Sequence, residues 1–498
     1  MRAITLLLPV WTLALALLSG CGTQMVNPVT GKAERSVMDE RSELAEGKKA
    51  HAEVLKEYGI YPDPKLQAYV NSVGQKLASH SHRASITWTF TVLDSPEVNA
   101  FALPGGYVYI TRGILAYMES EADMAGVIGH EIGHVTARHG AQRATRQQNA
   151  GLGVLAATVL GAVLESQAGV SGGTEMLGQM AQGVAAGYVA KYSREQELQA
   201  DNLGAEYLAR SQYNPRNMID VIRVLKLQEA FAMDEARAAG RNPSERDDWL
   251  SSHPSNDQRL QAISANAARY QGSYADDGSR RFLQAIEGMR YGDSPEQGLV
   301  RGNSFYHPAM GFAMTAPAGW RIQNNADSLV FVHPQGDAAL RMLVVPPKAG
   351  NTHDEILRNA FKANQGQITR GNVSGFAATH FNGTVQNAQG QAQPAEFTLV
   401  TGPRQTTYAM LYLAGSAAAK QRAFAGLMAT EKSFRALTAE DARAARPWQI
   451  QLRPFPRGGY PELARQSVVP VNLLQLINGS YGRADPPAGQ LVKVVTAQ

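Results

Sequence analysis

Two histidines stand four residues apart in "VIGHEIGHVTARHG" (127–140), with a glutamate directly after the first. Four residues are just over one helical turn, so the imidazoles of His130 and His134 leave the helix on one side. That is the geometry two ligands of one zinc ion need. Glu131, next to the first histidine, reaches a water on the ion rather than the ion itself. The combination is suited to hydrolysis, with the ion polarising a carbonyl and the carboxylate moving a proton. Two imidazoles cannot complete such a site, because a catalytic zinc takes three protein ligands.

The elements that must hold these residues are signposted. Ser120 and Asp123 in "SEAD" have the spacing of a capping box, with aspartate in the acidic place. Gly140 is placed to end the helix, and Val127, Ile128, Ile132 and Val135 give it a buried face. His139 is five residues past His134, and the metzincin pattern would need glycine at 137 and histidine at 140, where this chain has Ala137 and Gly140. His139 is therefore expected at the helix end, where positive charge is favoured. A third ligand is sought in "SREQELQADNLGAEYLA", a second helix capped by Ser193. There Glu197 and Asp201 face the same way, four residues apart. Glu195 and Glu206 lie on the same helix, so spacing alone leaves the choice of ligand open.

Taken together, "HEIGHVTARH" and "SREQELQAD" resemble the zinc metallopeptidase family of HtpX, the CAAX prenyl protease and the periplasmic BepA and LoiP proteins, gluzincins with an H-E-x-x-H helix. The likeness runs through "NPVTGK", "NAFALPGGYVYITRG", "EADMAGVIGHE" and "SSHPSNDQRL", about residues 26 to 270. It implies one Zn2+ per chain held by His130, His134 and Glu197. It also implies that Asp201 orients a ligating histidine, and that Glu131 is the general base. His253, beside Pro254 and near Arg259, matches a histidine that in BepA-like proteins occupies the fourth zinc position and blocks water. On pattern alone "NAFALPGG" leads into an ordinary hairpin or an edge strand that pairs with an extended substrate. The resemblance favours substrate binding at Asn99, Ala100 and Phe101.

The rest of the chain sets this domain in context. With 498 residues, two to four domains are expected. The net charge is only +4 and no dense Lys/Arg cluster occurs, so nucleic-acid binding has no electrostatic support. Arg2 and the apolar run "ITLLLPVWTLALALL" precede Leu18-Ser19-Gly20-Cys21, a tetrad that resembles a bacterial lipobox. The resemblance implies a lipid on Cys21, the only cysteine, and Gly22 in place of aspartate implies the periplasmic side of the outer membrane. The apolar stretch "GLGVLAATVLGAVL" (151–164) is short for a membrane span and is read as a buried or groove-lining helix.

The expected fold class is α+β and multidomain. A signal peptide (1–21) and a tether (22–40) lead into a mainly helical zincin-type peptidase domain with a small sheet (41–290). An α+β domain at 300–438 follows; it resembles PsbP on "FAMTAPAGWRI" and "EKSFRAL". "TAEDARAARP" reads as a linker. The end, 447–498, resembles a LysM module in its strand-helix-helix-strand order, although "RGGY" replaces the usual "GDTL" turn. Glycan binding, such as to peptidoglycan, and a protein-docking role with outer-membrane assembly machinery both stay open. The expected function is an envelope-anchored zinc endopeptidase for misfolded or stalled proteins; the alternative is a largely latent zinc lipoprotein that works as a chaperone or binding module.

Overall fold

The computed structural model describes residues 23–146, 148, 192–238, 253, 257–270, 272–274, 276–325, 328–363, 365–386 and 391–498. Cys21 and its lipobox, the apolar stretch 151–164 and Pro254 lie outside these residues. The chain divides into two compact units. One comprises Met1–Glu287, Leu452–Arg465 and Pro470–Val494; the other comprises Gly288–Gln451, Gln466–Val469 and Val495–Gln498. Among the described residues no helix is long and apolar enough to cross a membrane.

The first unit begins with a short hairpin, β1 (Thr23–Val26) and β2 (Ala33–Ser36). Residues 23–36 are therefore folded and not a bare tether. Its turn is built by Asn27, whose buried side-chain oxygen accepts from the N–H groups of Val29 and Thr30. Helix α1 (Glu40–Tyr58) starts at Asp39, which caps the Ser42 N–H. Helix α2 (Pro64–Ala78) starts at Asp63 with proline at its first position, and buries Leu66, Val70, Val73 and Leu77 along one stripe.

A small sheet follows in the order β3 (Thr89–Leu93), β5 (Tyr107–Thr111), β4 (Ala100–Leu103). The central β5 runs parallel to β3 and antiparallel to β4, which leaves β4 at an edge. Gly105 and Gly106 turn the chain between β4 and β5 with φ of 84° and 94°, a left-handed region open to glycine.

Helix α3 (Glu121–Thr136) carries the histidine pair and is buried on every side. Ser120 caps it by accepting from the Asp123 N–H, as its spacing predicts. The helix ends at Thr136, before Gly140, because Arg138 takes a left-handed conformation with φ of 58°. Helix α4 (Arg194–Arg210) opens with a full capping box between Ser193 and Gln196. Helices α3 and α4 touch through residues with almost no side chain. A Cβ on Gly133 would lie 2.9 Å from the Ala200 carbonyl oxygen, and one on Gly129 would lie 3.4 Å from the Gly204 Cα. Helices α5 (Asn217–Ala238) and α6 (Asp257–Ala267) complete this part.

The last stretch of the chain, expected as a module of its own over 447–498, does not stand apart: most of it groups with the peptidase unit. Lys493 is buried and gives its ammonium protons to the carbonyls of Ala116 (2.9 Å) and Met118 (2.6 Å). Tyr481 donates to Asp234, and Asn472 to Glu235, at 2.8 and 3.1 Å. Burial pulls the Lys493 ammonium down to about 8, against the attraction of Glu119.

The second unit is built on a seven-stranded antiparallel sheet, counted among the described residues. Its strands run Arg321–Asn324, Leu329–Val332, Ala338–Val344, Thr407–Ala414, Ala392–Thr401, Phe376–Gln386, Gln365–Val373 in spatial order. Helix Ala417–Lys432 adds Ala423 and Leu427 to a core with Phe312, Phe331, Leu340, Tyr408 and Met410. The expected linker contains a helix, Ala439–Ala444, started by a capping box between Thr438 and Asp441.

The close approach of α3 and α4 generates a prediction. Gly133→Val is expected to push the helices apart and to lower unfolding free energy by about 1–3 kcal/mol. Denaturant titration with a chelator present measures this; an unchanged midpoint contradicts it.

Candidate metal centre

Glycine contacts let α3 and α4 run close enough for their side chains to meet in the interior. His130, Glu131, His134, Glu197 and Asp201 are each no more than 2% exposed. His253 and Arg259, from the chain around α6, are equally buried. One donor atom each from His130, His134, Glu197 and His253 falls within 4.8 Å of all the others. The fold thus brings together every residue expected to touch the ion.

The separations are informative. Nε2 of His130 lies 3.0 Å from Nε2 of His134 and 3.1 Å from Nδ1 of His253. Nδ1 of His253 lies 3.0 Å from Oε1 of Glu197. Glu197 stands 3.5 Å from each Nε2, through Oε2 for His130 and Oε1 for His134. Four donors about 2.0–2.1 Å from a tetrahedral zinc stand about 3.3 Å from one another. The observed edges bracket that spacing, and the donor set, imidazole nitrogens with one carboxylate, suits zinc. The residues present therefore fit the ion.

Around the donors lies a second layer of charge. Asp201 Oδ1 is 2.9 Å from Nδ1 of His130, on the side of the ring away from the cluster. That contact holds the proton on Nδ1 and leaves Nε2 as a lone pair. Arg259 forks onto Asp201 with two bonds of 2.8 Å, and its remaining nitrogen lies 3.1 Å from Glu197. The same guanidinium donates to the His253 carbonyl at 3.1 Å. Glu131 Oε1 is 3.6 Å from the other nitrogen of His253.

The electrostatics follow from these contacts. Burial pushes the Asp201 carboxyl up, but the His130 hydrogen bond and Arg259 outweigh it and hold it at about 2. Burial likewise raises Glu197, and the neighbouring His253, His130 and Arg259 bring it below the usual carboxylate range. Burial drives His134 well down, helped by the cationic forms of its neighbours. His130 is driven down by burial and pulled up more strongly by Asp201, Glu197 and Glu131. The cluster thus favours positive charge at its centre but not on every ring.

His139 differs from its expectation as a cation at a helix end. It is fully buried, and burial lowers it to about 4, so it is neutral at ordinary pH. The left-handed Arg138 turns the chain back so that the His139 ring lies under His134, with their Nδ1 atoms 2.8 Å apart. Tyr192 stacks on the His134 ring, centroids 3.9 Å apart. Neither contact is announced by the H-E-x-x-H spacing.

The expected substrate strand is β4, at the sheet edge. Its residues are not equivalent. The Phe101 ring is in a core cluster with Ala50, Val54 and Tyr109, and the Asn99 backbone bonds with Thr111. Ala100 is buried in register with Ile110. The residues of this segment that line a recess beside His134 are Ala102, Leu103 and Pro104.

A buried helix pair that offers two histidines, a glutamate and a second glutamate directly after the first histidine defines the class of zinc-peptidase domains. Comparison with known proteins agrees: residues 64–267 match the model of peptidase family M48, so this stretch is a peptidase M48 domain. The beta-barrel assembly-enhancing protease of Escherichia coli (strain K12) is 32% identical over 202 residues, 40% of this chain and 38% of that protein. A putative beta-barrel assembly-enhancing protease of Vibrio cholerae is 28% identical over 214 residues, 42% of this chain and 41% of that one. The mitochondrial metalloendopeptidase OMA1 of Arabidopsis thaliana is 29% identical over 208 residues, 42% of this chain and 37% of that one. The chain spans about two fifths of the length of these curated relatives. The crystal structure of LpqN from Mycobacterium tuberculosis covers 26% of this chain and 86% of its own, at 15% identity and a TM-score of 0.18.

Arg259 neutralises two buried carboxylates, so its loss is expected to be severe. Arg259→Met should destabilise the chelator-treated protein by about 3–5 kcal/mol, by leaving Asp201 and Glu197 without their cation. A change within about 1 kcal/mol in denaturant unfolding contradicts this electrostatic account.

Proposed function

We propose that this chain is a zinc-dependent endopeptidase, with His130, His134 and Glu197 as ligands and Glu131 as general base. The observation that carries the reading is that five donor separations of 3.0–3.5 Å link three buried imidazoles and one carboxylate, all four donors lying within 4.8 Å of one another. Zinc, when bound, lowers the pKa of a water toward neutrality and polarises a scissile carbonyl. Glu131 takes the proton of the attacking water and delivers it to the departing amine. Asp201 keeps the His130 ring oriented with its lone pair inward. The free edge of β4 pairs with an extended peptide backbone, which grips substrate with little regard to sequence.

The proposed setting is the bacterial envelope. Leu18-Ser19-Gly20-Cys21 supports a lipid anchor on Cys21 and the periplasmic side of the outer membrane. Relatives named for enhancing beta-barrel assembly support a role in quality control of misfolded or stalled envelope proteins. The partners are then protein substrates and the membrane itself.

A second feature favours a resting enzyme that is shut. His253 places one nitrogen 3.0 Å from Glu197 and the other 3.6 Å from Glu131, in the space an attacking water needs. The latent form needs His253 to move before turnover.

Two variants separate these readings in a casein digestion assay. Glu131→Gln is expected to keep stoichiometric zinc and to lose hydrolysis by about 100-fold or more; full activity rejects the base. His253→Ala is expected to raise the rate at constant zinc content, and an unchanged rate removes the latent state.

A further inference from the structure

We infer that His139 and Gln199 form a positioning relay that fixes which nitrogen of His134 faces the metal. The inference rests on the zinc reading of the cluster and assigns two residues which that reading does not need. It starts from the 2.8 Å separation between Nδ1 of His134 and Nδ1 of His139. At that distance one nitrogen must carry the proton and the other a lone pair.

A metal on His134 decides which. Nε2 of His134 must present its lone pair to the cluster, so in the neutral ring the proton is on Nδ1. That N–H donates to Nδ1 of His139, which must then be a lone pair. The His139 proton is therefore on Nε2, and Oε1 of Gln199 stands 3.0 Å away to accept it. Each step is forced by the one before it, and the chain ends on an acceptor. Run in reverse, it would put an N–H on Nε2 of His134, aimed at Nε2 of His130 at 3.0 Å, and no ion could bind.

The fold is arranged to hold this relay. His139 is wholly buried, and its Nε2 meets the half-buried Gln199. The left-handed turn at Arg138 that brings His139 back under His134 is clamped on both sides. The Arg138 guanidinium donates to the buried Glu43 and to the Met38 carbonyl, each at 2.9 Å. The Ala137 carbonyl accepts from Asn27 and Gln142 at 3.4 and 3.2 Å. The two ligating histidines are thus oriented differently: His130 directly by a carboxylate, and His134 through a neutral imidazole and an amide.

The test is zinc affinity of the full-length chain, measured by competition with a chromophoric chelator, together with the absorption spectrum of the Co2+-loaded protein. His139→Leu and Gln199→Leu remove an acceptor and are expected to weaken zinc about 10- to 100-fold. His139→Asn puts an amide oxygen near the place of Nδ1, and Gln199→Glu keeps an acceptor for Nε2. Both are expected to bind zinc and to show the Co2+ spectrum nearly as the parent does. If His139→Asn binds as weakly as His139→Leu, the ring matters for packing and the relay is overturned. Parent-like affinity in all four variants also overturns it, with the zinc site intact. A parent protein that binds no stoichiometric zinc overturns the metal reading itself.

Discussion

Donor atoms of three imidazoles and a carboxylate are gathered within 4.8 Å of one another in the protein interior. Without a positive charge between them this arrangement is repulsive and costs stability. The protein supplies part of the compensation through Arg259, whose guanidinium serves both Asp201 and Glu197. The remaining centre of negative potential is where a dication is most strongly held. Everything else in the first unit follows from the need to keep those donors together.

The glycines on α3 and α4 are the structural answer to that need. Gly129, Gly133 and Gly204 let two helix backbones come nearly into contact, so that short side chains on both reach a shared point. Full burial of α3 then fixes its rotation, since neither face is free to turn toward solvent. The hairpin ahead of α1 and the clamp on Arg138 finish the lower end of the site. The described C-terminal residues add Lys493 under the loop that leads into α3, a buried ammonium held by two carbonyls.

Much of the site is legible in the sequence, because the i/i+4 spacing of His130 with His134 and Glu197 with Asp201 is dictated by helix geometry. The caps at Ser120 and Ser193 were readable for the same reason, their hydrogen bonds being local. The place of His139 is not legible in the sequence, because a left-handed Arg138 reverses the chain beneath the helix, and backbone reversals at non-glycine residues leave little trace in composition. The fold of residues 23–36 was hidden by a turn chemistry centred on one asparagine. In the second unit the strands Leu329–Val332 and Thr407–Ala414 are mostly apolar, whereas Gln365–Val373 and much of Phe376–Gln386 are not. Gln365–Val373 is largely exposed, both strands carry glycine and asparagine, and they pair through a Ser374-Gly375 turn with both φ angles positive. The helix at 439–444 carried a visible signal, Thr438 with Asp441, that a linker reading passed over.

The account stands on one ion seated among His130, His134, Glu197 and His253. Zinc K-edge X-ray absorption of the purified chain addresses that seat directly. The predicted result is one zinc per chain with three nitrogens at about 2.0–2.1 Å and an oxygen at about 2.0–2.2 Å. A chain that carries no zinc, or a zinc surrounded only by oxygens, would contradict it.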